Sequence, residues 1–152
     1  MINIKDVRES YERIKSYLID TPVVRSDNLN KFLDSNIYLK NEVEQLTGSF
    51  KIRGALSALS NLKSKGTNGV VAYSSGNHAQ GVSKAAQIFD MHAIIVMPED
   101  APQNKIQKTK ANGAEVVLYK RHIESREEIA IKIAEENNYP LVKPFDNEDI
   151  IA

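Results

Sequence analysis

Four short apolar segments, VVAYS, HAIIVMP, AEVVLY and PLVKPF, recur along the second half of the chain, each separated from the next by a stretch of helical length. Runs this short, rich in Val, Ile, Leu and Tyr, read as strands. Strands that alternate with helices form βαβ units, because parallel neighbours can be joined only by a crossover on a sheet face. The expected fold class is therefore α/β, with a mostly parallel sheet flanked by helices.

The intervening stretches supply the helices. SGNHAQGVSKAAQIF starts on small polar residues, EDAPQNKIQKTKANG has an acidic start and a Gly stop, and ESREEIAIKIAEENN begins after a capping Ser125. In EDAPQNKIQKTKANG the acids of PED read as a helix-start cap. Upstream, Ile52, Ala55, Leu56, Leu59 and Leu62 share one helical face, and Gly66 and Gly69 close that unit. Ile4, Val7, Tyr11, Ile14 and Leu18 recur at helical spacing, so the chain opens on an amphipathic helix. DTPVVRSDNLN reads as an extended piece with a turn, since Pro22 pushes its predecessor out of the helical region. NIYLKNE alternates and reads as a strand. The closing DNEDIIA has Asp146 as its N-cap candidate and acids in the first turn of a helix. It stops about two turns in, which points to truncation of a longer protein.

Lys+Arg and Asp+Glu are both 20, so the formal charge is zero, against a generally basic nucleic-acid surface. There is no cysteine, which excludes disulfides, thiolate metal sites and cysteine nucleophiles. No apolar run approaches the ~20 residues that span a bilayer, and the polar start MINIKDVRES is not a secretory signal. A soluble cytoplasmic protein is expected.

Two stretches carry candidate chemistry. TGSFKIRGAL places Lys51 at a helix start, where the dipole favours acids. The ordinary reading is one exposed lysine among 20 Lys+Arg. The functional reading is an amine kept uncharged by the dipole and partial burial, as Schiff-base chemistry requires. YSSGNHAQG follows a strand and opens a helix, so Ser74, Ser75, Gly76 and Asn77 offer backbone N–H groups to an anion at the C-terminal edge of a parallel sheet. The alternative is that Ser and Asn there are simply N-caps. His78, His92 and His122 lack metal-ligand spacing, and His92 begins a strand. KIQKTK reads as a solvated basic face. Neither a Walker A motif nor GxGxxG occurs.

Taken together and in order, TGSFKIRGA, SSGNHAQG, IVMPEDAPQNKIQKTKANGAEVVLY and PFDNEDIIA resemble the serine/threonine dehydratase family, which includes threonine ammonia-lyases and serine racemases. These are fold type II enzymes dependent on pyridoxal 5′-phosphate (PLP). The resemblance runs from about residue 11 to the last residue. It implies that Lys51 holds PLP as a Schiff base and then removes the α-proton, that Phe50 lies beside the cofactor ring, and that Asn77 hydrogen-bonds the ring hydroxyl. It assigns Ser74, Ser75, Gly76, Asn77 and His78 to the grip on the substrate carboxylate. Ser75 matches the serine that works opposite the lysine in racemases, and Arg126 a position near their substrate. For Arg126 the alternative is a solvated ion pair with Glu on its own helix. Thr47 and Gln80 resemble positions near a nucleotide effector in catabolic threonine dehydratases, although Leu46 replaces a basic residue there, which argues against AMP control.

By the same analogy, residues 1–55 are the N-terminal segment of the large PLP-binding domain, 56–145 the small α/β domain, and 146–152 a return into the large domain. The family enzyme is about twice as long, and its other half carries the glycine-rich loop that cradles the PLP phosphate. The implied activity is β-elimination of L-threonine or L-serine to a 2-oxo acid and ammonia. This chain alone is expected to retain PLP weakly or not at all and to turn over negligibly. The alternatives are a serine racemase-like enzyme and a non-catalytic binding module. The partners implied are a small amino-acid substrate and a second copy in a homo-oligomer, a dimer, with neither nucleic acid nor membrane. Tyr11, Ile14, Leu18, Tyr38 and Leu39 are expected to be unburied and to favour self-association.

Overall fold

The computed structural model describes residues 1–152. It opens with helix α1 (Ile4–Ile14), followed by a two-stranded antiparallel hairpin of β1 (Val23–Arg25) and β2 (Tyr38–Lys40), with α2 (Asp27–Leu33) between its strands. Then come α3 (Lys51–Ser64), β3 (Gly69–Tyr73), α4 (Asn77–Ile88), β4 (His92–Pro98), α5 (Gln103–Ala111), β5 (Glu115–Tyr119), α6 (Arg126–Asn137), β6 (Leu141–Val142) and α7 (Glu148–Ile151). The four later strands are all parallel, in the order β5-β4-β3-β6, as the alternation of apolar and helical segments predicts.

The two central strands explain why their sequences are nearly all apolar. A parallel sheet carries helices on both faces, so neither set of alternate side chains meets water. Val70, Ala72, Ile95 and Met97 face α3 and α4, against Ile52, Leu56, Leu59, Val82 and Ala85. Val71, Tyr73, Ile94 and Val96 point the other way, toward Ala130 of α6. No helix is long and apolar enough to cross a membrane.

The strand order creates a crevice. The chain moves outward from β3 to β4 and β5, then returns to place β6 on the other side of β3. The segments leaving β3 and β6 therefore separate at the C-terminal edge of the sheet, where such folds bind ligands. One is the 74–76 loop, and the other is the 143–147 segment.

Several local expectations change. Ser26 caps α2, its Oγ accepting from the Leu29 N–H at 3.3 Å, so part of the expected extended piece is helical. The PED acids do not cap α5, which begins at Gln103 after Pro102. Proline disfavours the helical region for Ala101, and this delays the helix. Asp100 instead receives a two-pronged contact from Arg121 at 3.0–3.1 Å. Asn147, not Asp146, caps α7, its Oδ1 accepting from the Ile150 N–H at 3.1 Å, while Asp146 takes a positive φ of 52°.

Of the residues expected to be unburied, Tyr11, Tyr38 and Leu39 are exposed. Ile14 is buried and Leu18 packs against the core, because α1 docks on α3. That docking includes a buried hydrogen bond of 2.6 Å from the Ser10 hydroxyl to that of Ser57.

Candidate active site

Lys51 is the first residue of α3, and the chain reaches it through unusual backbone. Thr47 and Gly48 have φ of 69° and 70° in the turn before it. For a β-branched residue this region is an outlier costing on the order of 1–3 kcal/mol, a strain found most often near functional sites. No side chain caps the helix, and Phe50 occupies the N-cap place with its ring largely exposed. The Lys51 ammonium donates to the Pro144 carbonyl at 3.1 Å and lies 5.3 Å from the Phe50 ring centroid.

A cleft of about 520 Å³ opens here, lined by Phe50, Lys51, Gly54, Pro144, Phe145 and Ile150 among others. That lies within the roughly 300–1,000 Å³ range of small-molecule sites. Its floor needs Gly54, where a Cβ would collide with the Ile150 carbonyl. Arg53, also on the wall, is held by Glu42 through bonds of 2.9 and 2.7 Å. That hydrogen-bonded guanidinium pulls the Glu42 carboxyl below the usual carboxylate range.

The 74–77 loop does not use its side chains as helix caps. Gly76 holds the N-cap place of α4 and no side chain bonds there. The Ser74 hydroxyl accepts from the Gly76 N–H at 3.2 Å, while Ser75 Oγ makes no hydrogen bond within the chain. The backbone N–H groups of Ser75, Asn77, His78 and Ala79 donate to no group of the chain. Four free donors at the N-terminus of a 12-residue helix form an anion site.

His78 follows within this turn and is buried, 3 % exposed. Its Nε2 lies 3.1 Å from the Val142 carbonyl, which can only accept, so Nε2 carries the hydrogen. Nδ1 is left as a buried lone pair without a partner. Burial pushes the imidazole pKa down to about 4, the Lys51 charge pushes the same way, and the Val142 carbonyl opposes both. Thr47 Oγ1, Ser49 Oγ and Gln80 Nε2 are likewise buried and unpartnered. Thr47 belongs to the Leu46–Gly48 turn, which packs on α4.

The structure therefore brings Lys51 and His78 together, His78 bonded to the last carbonyl of β6 and Lys51 to a carbonyl two residues further on. Asn77 projects into solvent, its Oδ1 accepting from Lys105 Nζ at 2.7 Å. Arg126 stands on the opposite face of the sheet. Its guanidinium lies 5.1 Å over the Tyr73 ring, and it pairs with no Glu of its own helix, contrary to the ion-pair alternative. The Tyr73 hydroxyl donates to Glu127 at 3.1 Å instead. Pro144 and Phe145 escape the sequence reading. Their signal was the place of PF just after the strand that returns across the sheet.

Gly81 sets the distance between the two candidate segments. A Cβ there would stand 3.1 Å from the Lys51 carbonyl and 3.3 Å from the Ile52 nitrogen, both backbone atoms that cannot rotate away. Gly81→Ala is expected to push α4 off the start of α3 and to destabilise the fold by about 1–3 kcal/mol. A urea titration checks this, and an unchanged midpoint would show that the helices separate freely.

The chain is similar to known proteins over nearly its whole length. The family described as Pyridoxal-phosphate dependent enzyme matches residues 14–152. An L-threo-3-hydroxyaspartate ammonia-lyase of Saccharomyces cerevisiae is 45% identical over 148 residues, which is 97% of this chain and 45% of that protein. An L-threonine ammonia-lyase of Thermotoga maritima is 42% identical over 153 residues, covering 100% of this chain and 38% of its own. The crystal structure of a serine racemase from Dictyostelium discoideum superposes with a TM-score of 0.91 at 37% identity, over 99% of this chain and 49% of that one. The chain thus spans about half the length of the curated relatives it matches. With the match extending over nearly all of its residues, the chain belongs to the family of pyridoxal-phosphate dependent enzymes.

Proposed function

We propose that Lys51 holds PLP and that the full-length protein eliminates the β-hydroxyl of L-threonine or L-serine, releasing a 2-oxo acid and ammonia. The observation that carries this is an amine on the wall of a 520 Å³ cleft, at the start of a helix that packs at Gly81 against α4, whose own start has four free N–H donors. The residues fit a flat, anionic aromatic aldehyde. Phe50 offers its ring face, Gly76 leaves open space around the loop, and the buried polar atoms of Ser49, His78 and Gln80 await partners.

PLP, when bound, supplies an aldehyde that condenses with amines and a conjugated ring that takes up the electron pair left by the α-proton. The chain does the rest. Lys51 supplies the condensing amine and, when its nitrogen is free, the base for the α-proton. Asn77 donates to the ring hydroxyl. The N–H groups of Ser75, Asn77, His78 and Ala79 hold the substrate carboxylate and so orient the Cα–H bond toward Lys51. Ser74, Ser75, Gly76 and His78 shape that grip, and Arg126 would join it only by leaving the Tyr73 ring on the opposite face of the sheet. Thr47 and Gln80 keep unpartnered buried polar atoms at the positions that resemble a nucleotide-effector site, but Leu46 in place of a basic residue argues against AMP there. A small amino acid and a second copy of the chain are the partners in this reading.

Racemisation of serine is the second reading, favoured by the unbonded Ser75 hydroxyl and the likeness to a serine racemase. Assaying the full-length protein with PLP separates the two. 2-oxo acid and ammonia from L-threonine and L-serine support elimination, and D-serine supports racemisation. Turnover of L-threo-3-hydroxyaspartate alone would move the substrate to that of the yeast relative. No product from any of them removes both readings.

A further inference from the structure

Lys105 is misplaced by the ordinary rules. It is the third residue of α5, inside the first turn, where the helix field disfavours a cation. It carries none of the ion pairs that would compensate. Its ammonium reaches across to α4 and donates to Asn77 Oδ1 at 2.7 Å. Lys108 and Lys110, on the same helix, lie exposed and make no such contact.

The chemistry of the pair decides the orientation of the asparagine. An ammonium has three donors and no acceptor, so the carboxamide atom it touches is the oxygen. The amide nitrogen must then face away from Lys105. Asn77 Nδ2 donates to no group of the chain, and the residue stands in the first turn of α4 beside the four free backbone donors. Without Lys105, a solvent-exposed carboxamide could rotate and present its oxygen, a repulsive group for an anion.

We propose that Lys105 is a positioning residue that locks the Asn77 carboxamide with its oxygen turned toward α5 and its N–H₂ group left to face the oxyanion of a ring hydroxyl. This rests on the PLP reading above. Lys105 never touches the cofactor in this arrangement. It polarises Asn77, and the polarised amide is a stronger donor to a deprotonated hydroxyl than a free asparagine.

The test uses the chain with PLP itself as the probe, in wild type, Lys105→Met, Lys105→Arg and Lys108→Met. Two quantities are read. One is the NMR signal of the Asn77 side-chain amide without PLP. The other is the PLP concentration giving half-maximal adduct after borohydride trapping. Lys105→Met is expected to shift the Asn77 amide signal and raise the half-saturating concentration about tenfold, the scale of one charge-assisted hydrogen bond. Lys105→Arg, whose guanidinium also only donates, restores both, and Lys108→Met changes neither. A merely structural lysine would leave the amide signal unmoved. An unmoved signal, or equal half-saturation in wild type and Lys105→Met, overturns the role of Lys105 alone. Absence of adduct in wild type overturns the PLP reading and this role with it.

Discussion

Lys51→Ala is expected to reduce the borohydride-trapped PLP adduct of this chain to the background level of its other lysines. Borohydride delivers hydride to the carbon of a C=N bond and leaves a stable secondary amine, so even a weakly held aldehyde becomes visible by mass. The chain has many competing lysines, but they lie on open surface where condensation is reversible and unassisted. Lys51 alone combines a cleft of about 520 Å³, an aromatic neighbour and an adjacent anion site. The substitution removes one surface-reaching side chain and its bond to the Pro144 carbonyl, so the core of α3 should persist. Circular dichroism checks that point. Total incorporation that stays at the wild-type level, or a wild-type adduct on a different lysine, would sink the assignment.

Acid should destabilise this chain in large part through one imidazole. His78 has a folded pKa of about 4 against about 6.5 when unfolded, chiefly because burial disfavours its charge. Between those values the unfolded state binds the extra proton, so stability rises with pH there. Stability is whole above about pH 6.5, falls as pH drops through the window, and stops changing on this account below about 4. The full loss is roughly 3 kcal/mol, a large part of the ~5–15 kcal/mol that holds a domain together. His78→Gln keeps an N–H donor for the Val142 carbonyl but cannot titrate, and should flatten the curve over that window. Glu42, whose carboxyl is held low by Arg53, also loses stabilisation toward acid, equally in both proteins. Subtracting urea midpoints of the two across pH 4 to 7 isolates His78, and parallel curves would refute the claim.

The same burial bears on chemistry. A neutral His78 beside Lys51 adds no positive charge next to the amine at physiological pH. Its Nδ1 lone pair remains a buried acceptor on the Lys51 side of α4. A cationic imidazole there would both destabilise the fold and repel the ammonium.

What the sequence determined by itself is whatever a short window encodes. Period and composition identify β3, β4, β5 and the helices α3, α4 and α6, because apolar runs and 3.6-residue stripes are local properties. The α/β class follows from their order. Local signals also mislead where two compete. Pro22 masked the Ser26 cap of α2, and the PED acids masked the stop that Pro102 imposes on α5. The family, too, was legible, since its motifs are short and contiguous.

Tertiary structure alone decided the surroundings of those motifs. The Pro144 carbonyl that meets Lys51 lies 93 residues away in sequence, and the Val142 carbonyl that fixes the His78 tautomer lies 64 away. Both arrive because β6 returns to the far side of β3, a choice of strand order that no local window contains. Lys105 reads locally as part of a solvated basic face, and only the packing of α5 on α4 turns it toward Asn77. The stretch of chain specifies which groups exist, whereas long-range pairing specifies which of them meet, because contact energies depend on distance in space and not on separation along the chain.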